Sequence, residues 1–211
     1  MLDASIILAL PVLLLAIVIH EVSHGYVAYL FGDSTAKRAG RLTLNPIAHI
    51  DLFGTILLPA LLIFVRSPVL FGWAKPVPVN FYALKNPKRD SIFVAIAGPA
   101  SNILMAIFFA IVSWLLFFAF GNNTSVFLED VRIMCMYGVQ INIIFALFNL
   151  LPILPLDGGR VLAGLLPNRL AYQYSKLEPY GMYIVILLLF LGVLNFIIAI
   201  SNPIVSFLLG G

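Results

Sequence analysis

Three long apolar stretches constrain this chain more than any other feature: residues 4–31, 91–120 and 180–200. Each reaches the roughly 20 apolar residues that a helix needs to cross a bilayer. A fourth stretch, 133–151, qualifies while carrying Gln140, Asn142 and Asn149. With 62% hydrophobic and 10% charged residues, the chain lies far from a soluble domain, which is about 45–50% apolar and about 25% charged. Twelve Lys and Arg over 211 residues are too sparse for a nucleic-acid surface, so no nucleic-acid partner is expected. One cysteine, Cys135, excludes an intramolecular disulfide and a cysteine-only metal site. The first stretch does not read as a cleaved signal peptide, because it lacks a basic start and continues through His20, Glu21 and His24. No internal repeat or linker is visible, and the expectation is one domain over 1–211.

The expected fold class is therefore an all-α polytopic membrane protein with four transmembrane helices. Residues 52–65 are apolar but only about 14 long, with Gly54 and Pro59 inside, which favours a membrane-associated or re-entrant segment. Residues 71–80 alternate in a β-like manner, and a short β-hairpin is expected there, with 72–80 as a candidate edge for an extended substrate. If 52–65 does not cross, eleven of the twelve Lys and Arg fall on one side and Arg132 alone on the other. Cytoplasmic loops are enriched in Lys and Arg, so this arrangement is preferred and puts both termini outside.

Ionisable groups inside an apolar span are costly and point to function. Glu21 stands in His20-Glu21-Val22-Ser23-His24, the pattern H-E-x-x-H. Positions i and i+4 share a helix face, so both imidazoles can address one zinc ion. Glu21 is rotated by about 100° and can reach a zinc-polarised water as general base without ligating the metal. Catalytic zinc sites take three protein ligands. His49 and Asp157 are the candidates for the third. Asp157 follows the fourth stretch closely, and in the four-span arrangement it approaches the same face as His24. Asn149 is a candidate donor to a developing oxyanion. Asn142, Gly98 and Asn102 read as helix-packing residues, and Cys135 as a small apolar filler.

Taken together, these residues resemble the site-2 protease family of intramembrane zinc metalloproteases. His20-Glu21-Val22-Ser23-His24 resembles its metal motif, Leu156-Asp157-Gly158 its second hallmark, and Asn149-Leu150-Leu151-Pro152 the N-x-x-P that accompanies it. Gly98-Pro99-Ala100-Ser101-Asn102 is similar to a small-residue motif of an intermediate span, and 45–54 to a segment of compact prokaryotic members. The resemblance implies one Zn2+ per chain on His20, His24 and Asp157, and Glu21 and Asn149 are the residues read as catalytic. It also implies hydrolysis of membrane-protein or peptide substrates within the lipid bilayer of the cell membrane, in regulated intramembrane proteolysis; the Lys and Arg placement puts the active site toward the cytoplasmic side. No PDZ-like or CBS-like domain is expected to fit. A membrane zinc or other cation transporter and a non-catalytic membrane scaffold are the competing readings.

Overall fold

The computed structural model describes residues 4–65, 72–121 and 125–210. Helix α1, Ala4–Leu30, carries the H-E-x-x-H pattern. A short helix α2, Thr35–Arg38, follows, then a 3-10 turn Pro46–His49. A π-helical turn Leu52–Leu57 runs directly into α3, Leu58–Phe64. Residues 72–80 form neither helix nor strand and lead to a 3-10 turn Phe81–Ala83, followed by the long helices α4, Pro87–Phe120, and α5, Val126–Asn149. Helices α6, Asp157–Leu165, and α7, Asn168–Ser175, precede α8, Glu178–Phe190, and α9, Val193–Leu209.

α1, α4 and α5 are each long and apolar enough to span a membrane. Their packing follows from small residues at helical spacing. On α1, Val12, Ala16, His20 and Ala28 are buried, separated by multiples of four residues. On α4 the buried row is Asp90, Val94, Gly98, Asn102, Ala106 and Ala110. On α5, Cys135, Gly138, Val139, Asn142, Ile143 and Ala146 face inward. Lipid tails are as apolar as leucine, so close approach of small side chains and buried hydrogen bonds hold such helices together. A Cβ on Gly138 would stand 2.3 Å from the Phe109 ring, which shows how closely α4 and α5 meet. The outward faces are large and apolar, with Leu104, Leu115 and Phe118 exposed as expected for lipid contact.

The expected fourth span is different. Residues 180–200 are not one straight helix but parts of α8 and α9, which meet at 71°. Gly192 has φ +86°, a left-handed conformation that ends a helix and that glycine adopts without a Cβ clash. Among the described residues, three candidate spans are therefore formed by single helices, and a fourth only if the bent pair counts as one. Residues 52–64 are helical, and 13 residues at about 1.5 Å each fall well short of a bilayer core of about 30 Å.

The β-hairpin expected over 71–80 is not formed: Phe71 lies outside the described residues, and no strand occurs among 72–80. The reason is where the backbone donors go. Trp73 N–H donates to the Gly54 carbonyl and Lys75 N–H to the His49 carbonyl. Val77 N–H donates to the Glu21 carboxylate, and Asn80 N–H to Asp33 Oδ2. Pro76 and Pro78 have no N–H to give. The segment is pinned to α1 and to the 49–55 region rather than paired with itself. Val77 packs so closely on α1 that a Cβ on Gly25 would lie 2.6 Å from its Cγ1.

Asp33 anchors the other end of this segment. Fully buried, it accepts from the Thr35 N–H and hydroxyl and from Asn80 N–H. Burial pushes its carboxyl up, but these hydrogen bonds and the Arg38 charge outweigh it and hold the pKa below the usual value. Asp33→Ala should cost about 1–3 kcal/mol, because two backbone donors lose their acceptor. A depressed folded-state pKa means that the stabilisation is complete above the unfolded carboxyl value of about 3.9 and fades as pH falls through the folded value. Thermal melts in detergent from neutral pH downward should show a steeper loss for the parent than for Asp33→Asn.

Candidate metal centre

Three elements build the site. α1 presents His20 and His24 one turn apart on its buried face. α4 crosses them at Gly98, where a Cβ would lie 2.4 Å from His24 Nε2 and 2.6 Å from His20 Cε1. Only glycine leaves room for both rings. Asp157 opens α6, after a tight turn in which Ile153 N–H donates to the Leu151 carbonyl and Leu156 N–H to the Ile153 carbonyl. Gly158 and Gly159 permit this turn, since a Cβ on either would meet backbone at 2.1 and 2.4 Å. With α6 packed against α4, the turn sets Asp157 beside the two imidazoles of α1.

The result is a tight triangle of atoms that could together hold a metal ion. His20 Nε2 and His24 Nε2 are 3.1 Å apart. His20 Nε2 lies 3.1 Å from Asp157 Oδ2, and His24 Nε2 lies 3.3 Å from Asp157 Oδ1. Ligands placed about 2.0–2.1 Å from one tetrahedral zinc ion would stand about 3.3 Å apart, so the spacing fits. The other ring nitrogens are engaged: His20 Nδ1 faces Asn102 Oδ1 at 2.6 Å, and His24 Nδ1 faces the Val94 carbonyl at 2.7 Å. Both partners are acceptors, so both Nδ1 atoms carry protons and both Nε2 atoms present lone pairs. Asp157 Oδ2 is buried and accepts no hydrogen bond. Two lone pairs and a carboxylate converging at this distance repel one another unless a cation lies between them.

Glu21 lies next to this triangle and lines the same cavity, of about 520 Å3, together with Val77, Asn149 and Arg160. Its Oε2 accepts from Val77 N–H at 2.8 Å. Asn149 uses its Nδ2 to donate to the Phe145 carbonyl at 3.1 Å. Five of the residues singled out from the sequence, His20, Glu21, His24, Asn149 and Asp157, thus meet at one cavity. His49 does not join them. It is buried on the 3-10 turn, with Nε2 on the Thr43 carbonyl, and the metal-competent group among the described residues is His20, His24 and Asp157. Asn102, Asn142 and Gly98 were expected as packing residues, yet all three bear on the site: Asn102 bonds His20 directly, Asn142 bonds Asn102, and Gly98 leaves the space that both imidazoles fill. The four-residue spacing of Gly98 and Asn102 along α4 signals a shared face, but not which helix that face meets.

Gly98→Ala should push the two rings apart and weaken metal retention about 10–100-fold, a loss typical of disturbed ligand support. Zinc per chain after dialysis against a graded chelator series checks this.

Spanning helices around a buried group of two imidazoles and a carboxylate, with a glutamate beside it, define a membrane-embedded protein built to hold a metal. Residues 124–192 match the model of peptidase family M50. YwhC of Bacillus subtilis, named as a zinc metalloprotease, is 44% identical over 181 residues, covering 84% of this chain and 77% of YwhC. Rip2 of Mycolicibacterium smegmatis, also named as a zinc metalloprotease, is 26% identical, covering 86% of this chain and 66% of Rip2. Zinc metalloprotease MJ0392 of Methanocaldococcus jannaschii is 25% identical, covering 87% of this chain but 42% of that protein. No solved structure matches the chain. The chain belongs to peptidase family M50, the site-2 protease family, and is an integral membrane protein.

Proposed function

We propose that His20, His24 and Asp157 hold the zinc of this membrane metalloprotease, and that Glu21 acts as its general base on membrane-embedded peptide substrates. The observation that carries the reading is the triangle of three acceptors at 3.1–3.3 Å with Glu21 on the same cavity. Zinc, when bound there, supplies a Lewis acid and a water of pKa about 7. Val77 N–H holds Glu21 Oε2, and Oε1 takes the proton from the attacking water and passes it to the leaving amine. Asn149 donates one amide proton to the Phe145 carbonyl and keeps a second for the oxyanion of the scissile carbonyl. A helical substrate hides its amides in i→i−4 bonds, so it must unwind locally before its carbonyl enters the cavity. Such cleavage suits regulated intramembrane proteolysis.

The site faces the cytoplasmic side in this reading. Its support is that α1 ends in the Lys- and Arg-bearing region 31–90, while α5 begins near Arg132 and ends before Arg160, Arg169 and Lys176. The closeness of His24 to Asp157 also fits an even number of crossings between α1 and α4, with 52–64 not spanning.

The test uses purified protein in liposomes with a panel of single-span peptides. Cleavage that a chelator stops and zinc restores is the expected result. Zinc flux across the liposome without cleavage would replace this reading with a transporter.

A further inference from the structure

His20 and His24 are oriented by different means. The acceptor at His24 Nδ1 is the Val94 backbone carbonyl, which has no alternative. The acceptor at His20 Nδ1 is the side chain of Asn102, whose amide has one accepting and one donating end and could turn either way. What prevents the turn lies one layer further out. Asn142 Nδ2 donates to the Gly138 carbonyl at 2.8 Å, so Asn142 Oδ1 points to Asn102. Asn102 Nδ2 donates to that oxygen at 2.9 Å and to the Ala16 carbonyl at 3.3 Å. Asn102 Oδ1 is left facing His20 at 2.6 Å.

Two backbone carbonyls can only accept, and their polarity propagates through two amides to the imidazole. Turning Asn102 over would set its oxygen against the Ala16 carbonyl and Asn142 Oδ1. Turning Asn142 as well would set two oxygens together at Gly138. Asn102 and Asn142 are fully buried, so water cannot compensate either arrangement.

We infer that Asn102, held by Asn142, is a positioning residue that fixes His20 in the Nδ1–H tautomer and so presents the Nε2 lone pair to the metal site before any metal arrives. This rests on the reading of His20 as a metal ligand. The relay spans all three single-helix spans, since Ala16 and His20 lie on α1, Asn102 on α4, and Gly138 and Asn142 on α5. The ligand's tautomer is thereby coupled to correct helix packing.

Three histidines make the test tractable by 15N labelling of histidine alone. In the zinc-free unmutated protein at about pH 9, well above the ordinary imidazole pKa of about 6.5, His20 should show a protonated Nδ1 and a bare Nε2. A neutral His20 ring protonated at Nε2 would overturn the inference. In Asn102→Leu the His20 preference should be lost while His24, held by Val94, keeps its own. Chelator competition should show zinc binding weakened about 10–100-fold in Asn102→Leu and weakened less in Asn142→Leu. No loss in Asn102→Leu, or a larger loss in Asn142→Leu, would also overturn it. If Asn102→Leu does not fold, the tautomer of the unmutated protein decides. If the unmutated protein binds no zinc, the metal reading fails, and the tautomer measurement still judges the relay.

Discussion

Glu21→Gln protein should carry as much zinc as the parent and cut membrane peptides about 10²–10⁴-fold more slowly, the usual range for a lost general base. At 1.36 kcal/mol per tenfold, that is about 3–5 kcal/mol of barrier. The separation of the two readouts is what matters. Glu21 is not part of the His20–His24–Asp157 triangle, and its Oε2 is held by Val77 N–H. Glutamine keeps the length and one oxygen for that N–H but cannot take a proton from water. Zinc content comes from elemental analysis and rate from peptide cleavage in liposomes. Zinc lost together with activity would make Glu21 a ligand or a structural residue instead.

Asp157→Ala should lower zinc affinity by more than about 100-fold, beyond what loss of an outer hydrogen-bond partner causes. The carboxylate supplies the only anionic charge of the triangle, and both of its oxygens approach an imidazole Nε2. Without it two neutral imidazoles remain, short of the three protein ligands of a catalytic zinc site. The fold should survive, because the α6 turn depends on Gly158 and Gly159 and on backbone bonds rather than on this carboxylate. Helical content by circular dichroism should therefore match the parent while zinc binding does not.

Much of the site was legible in the sequence, for a physical reason. The i, i+4 spacing of His20 and His24 specifies their relation within one helix, whatever surrounds that helix. Asp157 was legible only through topology and through the likeness of Leu156-Asp157-Gly158 to a family hallmark, since it lies in a different element and its approach depends on which face each span ends at. The supporting residues were not legible. Gly98 and Asn102 lie on α4 at helical spacing, but sequence spacing does not say that their face meets the imidazoles of α1. The long apolar stretches were read correctly as α1, α4 and α5, with α5 starting earlier, at Val126. The break in the last stretch turns on Gly192, where an apolar run hides a left-handed residue. Alternation over 71–80 suggested strand pairing, yet the N–H groups of Trp73, Lys75, Val77 and Asn80 all bond to other parts of the chain.

Zinc K-edge X-ray absorption on the purified protein tests the central claim most directly. The account predicts one zinc per chain, surrounded only by nitrogen and oxygen at about 2.0–2.1 Å, with the scattering of two imidazoles. A third imidazole would bring His49 into the site, and a sulfur shell at about 2.3 Å would bring in Cys135. Either result would contradict the His20, His24 and Asp157 centre.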